Sequence, residues 1–129
     1  MLAVVRIARS RYSRVLKEEA QRFGDEEVER LKEQLWANGF GVAPKARDDG
    51  KPPLIDSAKY VNGYIAVVEG TTLSLFSQGM NDHMSNEALG EVLEYGSFPS
   101  PPRPHLRPFA LQMESREGII ADRVFARLW

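Results

Sequence analysis

Few residues in this sequence are of types that perform acid–base, nucleophilic or metal chemistry. There are two histidines, His83 and His105, and no cysteine. The missing thiols exclude a disulfide scaffold, a thiolate zinc site and a cysteine nucleophile. His83 follows Asp82 in a polar loop, where neighbouring residues are poorly placed to act as a base and its orienting acid. His105 lies among prolines, close to Arg107. A two-histidine metal site completed by Asp82 or Glu114 has no supporting spacing, unlike two histidines at i, i+4 on one helix. Glu91 and Glu94, three apart on a helix, would set two carboxylates on one side; a solvated helix face accounts for the same pair. Asp48-Asp49-Gly50 lacks the alternating acids and the distant glutamate of a calcium loop and reads as a surface turn. No phosphate loop, dinucleotide fingerprint or nucleophile elbow is present. The residues therefore point away from an enzyme, and no cofactor or metal is expected.

The elements around these residues describe one small domain. A length of 129 residues suits a single domain with a modest core. The 43% hydrophobic and 27% charged content is that of an ordinary soluble chain, and a net charge of −1 gives no global attraction to nucleic acid or membrane. No apolar run approaches the ~20 residues that span a bilayer, and the first residues are interrupted too early by arginine for a signal peptide. A cytoplasmic origin is expected.

Residues 1–17 form a basic N-terminal segment with Arg6, Arg9, Arg11, Arg14 and Lys17 before any acid. This is either a solvated helix face balanced by the acids that follow or a contact for an acidic partner or DNA phosphates. Leu16, Ala20 and Phe23 make one apolar stripe; Val28, Leu31 and Leu35 make another. Gly24-Asp25 separates them, and Asp25 is suited to cap a helix over 25–38 that Asn38-Gly39 ends. Residues 12–23 either continue that helix or meet it at a bend. A loop over 40–53 follows. A β-hairpin is expected over 64–77, turning at Gly70. Ser85 can cap a helix from Asn86 to Tyr95, with Ala88, Leu89, Val92 and Tyr95 on one face. A strand from Val92 to Tyr95 is the rival reading. A C-terminal helix is expected over 111–129, lined by Ile120, Val124 and Leu128. The fold class is α+β: a small antiparallel sheet packed with an N-terminal helical region and a C-terminal helix, plus an extended proline-rich arm.

That arm is the most distinctive stretch. Residues 93–111 hold five of the eight prolines. Each proline lacks an N–H and fixes φ, so interior helix and central strand are excluded across the run. The segment reads as a turn, Glu94-Tyr95-Gly96, and a stiff arm from Pro99 to Pro108. Polyproline spacing also permits a ligand for an aromatic groove, but an arm fixed between two ordered elements needs no partner.

Leu93-Glu94-Tyr95-Gly96, followed after a spacer by Pro102-Arg103-Pro104-His105-Leu106-Arg107-Pro108, resembles the signature of the tail-completion, or neck, proteins of long-tailed phages. That family shows an acid–aromatic–glycine turn, a proline–arginine–proline–aromatic–leucine–arginine–proline run, and a C-terminal helix. Pro53-Leu54-Ile55-Asp56-Ser57-Ala58 is similar to the family's proline–leucine–aspartate–threonine–glycine segment. Ser57 and Ala58 depart from its threonine and glycine, His105 from its aromatic, and Phe109 is interposed before Ala110-Leu111. The likeness covers roughly residues 25 to 128 and leaves the basic segment aside.

The resemblance implies a structural virion protein, made in the host cytoplasm and assembled into the phage neck or tail. It would form a ring, hexameric to match the tail tube. Its partners would be head connector or adaptor proteins and tail tube or tail terminator proteins, with DNA passing through and no membrane. A tail terminator or minor tail protein is the near alternative, and a small nucleic-acid-binding protein using residues 6–17 is the distant one. Rings need one patch to meet a different patch, and a pre-stiffened arm supplies a patch at little ordering cost. Arg103 and Arg107 are then expected at the interface, with Glu94, Tyr95, Leu106 and Phe109 beside them. Gly96, Pro102, Pro104 and Pro108 would set backbone geometry.

Overall fold

The computed structural model describes residues 2–37, 58–80, 84–96, 102 and 104–129, with side chains in the first helix from Arg11 onward. The expected loop over 40–53, residues 53–57 of the segment that ends at Ala58, His83, most of the Pro99–Pro104 stretch and Arg103 lie outside the described residues.

Helix α1 runs unbroken from Leu2 to Ala37. Of the two readings for residues 12–23, the one in which they continue the 25–38 helix holds, and the helix reaches back further, to Leu2. Asp25 does not cap a helix; it lies inside one and accepts a 2.9 Å hydrogen bond from Gln21 Nε2 one turn earlier. The two apolar stripes read from the sequence are one stripe. Val15, Phe23, Val28, Leu31 and Leu35 are all buried, and Glu19 and Glu27 are buried on the same side. Gly24 interrupts nothing because the hairpin sits directly on it. A Cβ there would lie 2.7 Å from Leu73 Cδ1 and 2.8 Å from the Ala66 Cβ.

A short helix α2, Ala58–Asn62, precedes the hairpin and was not foreseen. Strands β1, Tyr64–Glu69, and β2, Thr72–Ser77, pair antiparallel with Tyr64 opposite Ser77 and Glu69 opposite Thr72. Gly70 supplies the left-handed turn residue at φ 58°. Helix α3 spans Asn86–Tyr95, and the Ser85 hydroxyl accepts from the Ala88 N–H at 3.1 Å, the capping geometry expected of serine. Its buried face is not the one expected. Asn86, Leu89, Gly90, Leu93 and Glu94 turn inward, while Ala88 and Tyr95 face solvent. Gly90 permits this, because a Cβ there would approach Tyr60 Oη to 3.0 Å.

The C-terminal region departs most from expectation. It contains two helices, α4 over Leu106–Arg116 and α5 over Gly118–Leu128, joined through Glu117 in helical geometry. The first begins five residues before the expected start at 111, so Pro108 belongs to a helix rather than to the arm. It is tolerated there because it occupies the third position, where the backbone N–H has no intrahelical partner to lose. Helix α5 packs along α1, and Val124 is buried between Ile120 and Leu128 on the stripe read from the sequence.

One core results. Val28, Leu31 and Leu35 of α1 meet Tyr60, Val61, Tyr64, Ala66, Leu89, Leu93 and Phe109. Three arginines then fasten the C-terminal helices to α1. Arg116 forks onto Glu27, with its Nε donating to Oε1 at 3.0 Å. Arg123 reaches Glu26 at 2.9 Å, and Arg127 bridges Glu18 at 2.7 Å and Glu19 at 3.1 Å. Arg123 and Arg127 thus tie α5 to α1, and Arg116 ties α4 to it.

Gly24→Ala tests the seating of the hairpin. Alanine would gain about 1 kcal/mol in helix propensity. The close approach to Ala66, which has no flexible end to move, is expected to outweigh that gain. A net loss of about 1–2 kcal/mol should appear in urea unfolding. An increase in stability would show that α1 and the hairpin are not in close contact.

Candidate functional site

The turn at Glu94-Tyr95-Gly96 and the start of α4 form one unit. Helix α3 buries Glu94 at its last turn, and Gly96 stops it at φ 79°, with its N–H donating to the Val92 carbonyl at 2.8 Å. The chain returns through Pro102 and Pro104, both exposed, and the first N–H groups of α4 then point at Glu94. Glu94 Oε2 accepts from His105 N at 2.8 Å and Leu106 N at 2.9 Å, and Oε1 accepts from Arg107 N at 3.0 Å. A carboxylate from a distant helix thus does what a capping side chain does locally. It satisfies donors that a helix start leaves open and complements the dipole. Burial alone would raise the Glu94 pKa; the three N–H donors outweigh it and hold the carboxyl below its ordinary range.

The same carboxylate begins a buried polar chain. His105 Nδ1 lies 3.1 Å from Glu94 Oε2, its Nε2 lies 2.6 Å from Tyr60 Oη, and Tyr60 Oη meets Tyr64 Oη. A carboxylate only accepts, so Nδ1 carries the donated hydrogen. A neutral ring then accepts at Nε2 from Tyr60, and Tyr60 accepts from Tyr64. The tyrosine ring stands edge-on to both neighbours, with centroids 5.2 Å from Tyr64 and 5.7 Å from His105. Burial pushes the Tyr60 phenol up to about 12, helped by the Glu94 charge and opposed by the Tyr64 hydrogen bond. Burial moves Tyr64 upward as well. Acid, imidazole and hydroxyl stand in the order of a nucleophilic triad, yet both phenols are held protonated, which suits donors in a structural network rather than nucleophiles.

The expected interface residues separate into two groups. Glu94 and Phe109 are buried in the chain's own fold, Phe109 beneath the Arg116 guanidinium at 5.7 Å. Their side chains are therefore not presented to a neighbour, which corrects their expected place at an interface. Leu106 is half-buried against the core. Tyr95 is 63% exposed, and Arg107 lies over its ring at 5.3 Å. This cation–π pair is what the unit shows to solvent. Tyr60, Tyr64 and His105 are not recognisable from their spacing as one network, because their link runs across elements. The only sign was a histidine where the resembling family has an aromatic.

Beside this unit, α3 and β2 border a cleft of about 260 Å³. Tyr60, Tyr64 and Glu94 lie at its base. Among the described residues no group of three or more histidines and acids is placed to hold a metal ion, and no helix is long and apolar enough to cross a membrane. Of the suggested metal pair, Asp82 and His83 lie outside the described residues, and both ring nitrogens of His105 face partners. The suggested carboxylate pair is divided between a buried Glu94 and an exposed Glu91. Compared with protein-family models, curated proteins and solved structures, the chain finds no match.

Glu94→Ala leaves three N–H groups and His105 without their acceptor. We expect a loss of about 2–4 kcal/mol in chemical unfolding. The pH dependence has a definite sign. A depressed carboxyl pKa contributes stability that is complete above the ordinary carboxylate range of about 4 and is lost as pH falls through the lower native value. Glu94→Gln should accordingly flatten the acid limb of the stability profile. An unchanged limb would show that Glu94 is not the anchor of α4.

Proposed function

We propose that the protein is a structural virion component of the phage neck or tail. It acts in tail completion at the head–tail junction and works as a ring. The observation that carries this reading is the join between the two halves of the signature. Leu93-Glu94-Tyr95-Gly96 and Pro102-to-Pro108 are separated in sequence, but the Glu94 carboxylate ties them at 2.8–3.0 Å into one rigid corner. Such a corner explains in physical terms why an acid and glycine would accompany a proline run that ends in a helix. It also leaves Tyr95 and Arg107 displayed together on the surface.

A second observation agrees with an assembling subunit. Phe125 and Trp129, with ring centroids 5.9 Å apart, are 64% and 89% exposed, and Leu111 and Met80 are 69% and 70% exposed. Large apolar side chains shown to solvent in this way favour a surface that becomes covered in an assembly. In this reading the protein meets a connector or adaptor on one side and a tube or terminator on the other. It resides in the virion and passes through the host cytoplasm during assembly.

The test is assembly. Arg103→Ala/Arg107→Ala should fold normally, because Arg107 is exposed, its bond to Glu94 is made by the backbone N–H, and its side chain makes only a solvent-exposed contact with the Tyr95 ring. We expect joined particles to fall at least tenfold in a complementation assay, with heads and tails accumulating separately. Wild-type yield of joined particles, with the variant present in the necks, would remove the interface role. Accumulation of overlong tails would point to a terminator instead.

A further inference from the structure

Helix α5 is held to α1 by a seam that stands apart from the core. Val15, Phe23 and Val124 are buried, yet none belongs to the cluster around Leu31 and Tyr60. Val124 is the one buried side chain of α5. The rest of the seam is polar. Arg123 meets Glu26 at 2.9 Å, and Arg127 meets Glu18 at 2.7 Å and Glu19 at 3.1 Å. The Arg127 and Glu18 side chains are 40% and 49% exposed, and pairs so open to water add little stability and are screened by salt. Glu19 Oε2 and Arg123 Nη1 are buried there without a hydrogen-bond partner among the described residues, and Arg22 Nη1 stands 3.6 Å from that Glu19 oxygen. A groove of about 320 Å³ is lined by Leu16 and Ala20 of α1 and by Ile120 of α5. Helix α4, by contrast, is anchored by Glu94 at its start, by Phe109 in the core and by Arg116 on Glu27.

Little has to change at the joint between α4 and α5. The Glu117 N–H donates to the Glu114 carbonyl at 3.4 Å and the Ile120 N–H to the Glu117 carbonyl at 3.0 Å, the tighter three-residue bonding that marks hinges within helices. Glu117 already has helical angles, φ −63° and ψ −22°. A Cβ at Gly118 would meet nothing within 4 Å. Helix α5 lies against α1, whereas the α4 backbone stands farther off and reaches α1 through the Gln112 and Arg116 side chains. Full α-helical bonding at 117–118 would therefore prolong α4 and carry α5 away from α1, by up to its own length of roughly 16 Å at about 1.5 Å per residue. Helix α5 also has two apolar sides. Ile120, Val124 and Leu128 line the covered one, while Phe125 and Trp129 stand in solvent. A helix apolar on both sides suits a place between two bodies.

We propose that α5 is an exchangeable latch. It straightens onto α4, leaves its own α1, and lies on the Val15, Glu19 and Phe23 face of α1 in a second copy. The closed subunit itself specifies this occupant, because a neighbour's α5 brings the same valine and arginines to the same acids. The latch rests on the ring reading and specifies its contact. Each copy gives α5 and receives on α1, two different patches, as a cyclic assembly requires. The exchange costs little, since every contact broken within a subunit is remade between subunits.

The chain contains no cysteine, so Ile120→Cys can carry a single benzophenone maleimide, with the adjoining groove taking up its bulk. Full-length chains of light and heavy nitrogen are mixed in urea, refolded together and irradiated. In the self-associated fraction, cross-links from position 120 to α1 should join light to heavy chains about as often as like to like. In the monomer fraction they should join like to like only. Gly118→Ala, in open space, should keep the fold and, by favouring one continuous helix, lower the dissociation constant of self-association about fivefold. If the associated fraction gives only like-to-like cross-links, or Gly118→Ala leaves association unchanged, the exchange is overturned and the ring reading stands. If the wild-type chain does not self-associate, alone or in neck particles, both fall.

Discussion

The structure depends on one buried carboxylate. Glu94 sits at the last turn of α3 and receives the N–H of His105, which caps α4, and the first two N–H groups of α4. Without it, a helix start would be buried with open donors, and His105 would face Tyr60 without an acid behind it. Because α4 also carries Phe109 into the core and Arg116 onto Glu27, the direction of the whole C-terminal region follows from this point. A local capping residue would fix only its own helix. A capping group from another helix fixes the angle between two.

How much of this was legible depended on whether the cause was local. The hairpin was readable because alternation in Thr72–Ser77 and the freedom of Gly70 are properties of neighbouring residues. The Ser85 cap was readable for the same reason. Gly24 misled because a mid-helix glycine normally weakens a helix, and only the packed hairpin shows why a side chain is excluded there. Pro108 misled in the opposite sense. A proline run reads as non-helical, but the helix begins two residues before its last proline, held by an acid eleven to thirteen residues upstream. The inward face of α3 was read off by a rotation for a related reason. Apolar periodicity cannot anticipate that Asn86 and Glu94 are buried as polar partners while Tyr95 is left outside.

The site was legible as a set of positions but not as a division of labour. The sequence grouped Glu94, Tyr95, Leu106, Arg107 and Phe109, and the structure brings these together. It also separates the side chains that hold the corner from those that face outward. Burial makes that distinction, and burial is decided by residues far away in sequence, such as Tyr60 and Arg116.

The clasp between α1 and the C-terminal helices has a consequence for synthesis. Glu27, Glu26 and Glu18 wait for arginines 89, 97 and 109 residues later. A helix made early by the ribosome therefore carries an acidic, partly apolar flank whose acids have only arginines of their own helix, Arg14, Arg22 and Arg30, as partners until α4 and α5 emerge. Residues 58–96 can form their hairpin and α3 beforehand, since their contacts are short-range. Completion of the native subunit is thus tied to the synthesis of α4 and α5. A copy lacking α4 and α5 would keep the α1 flank open, and this gives the cell a simple chemical difference between such a copy and one that has closed.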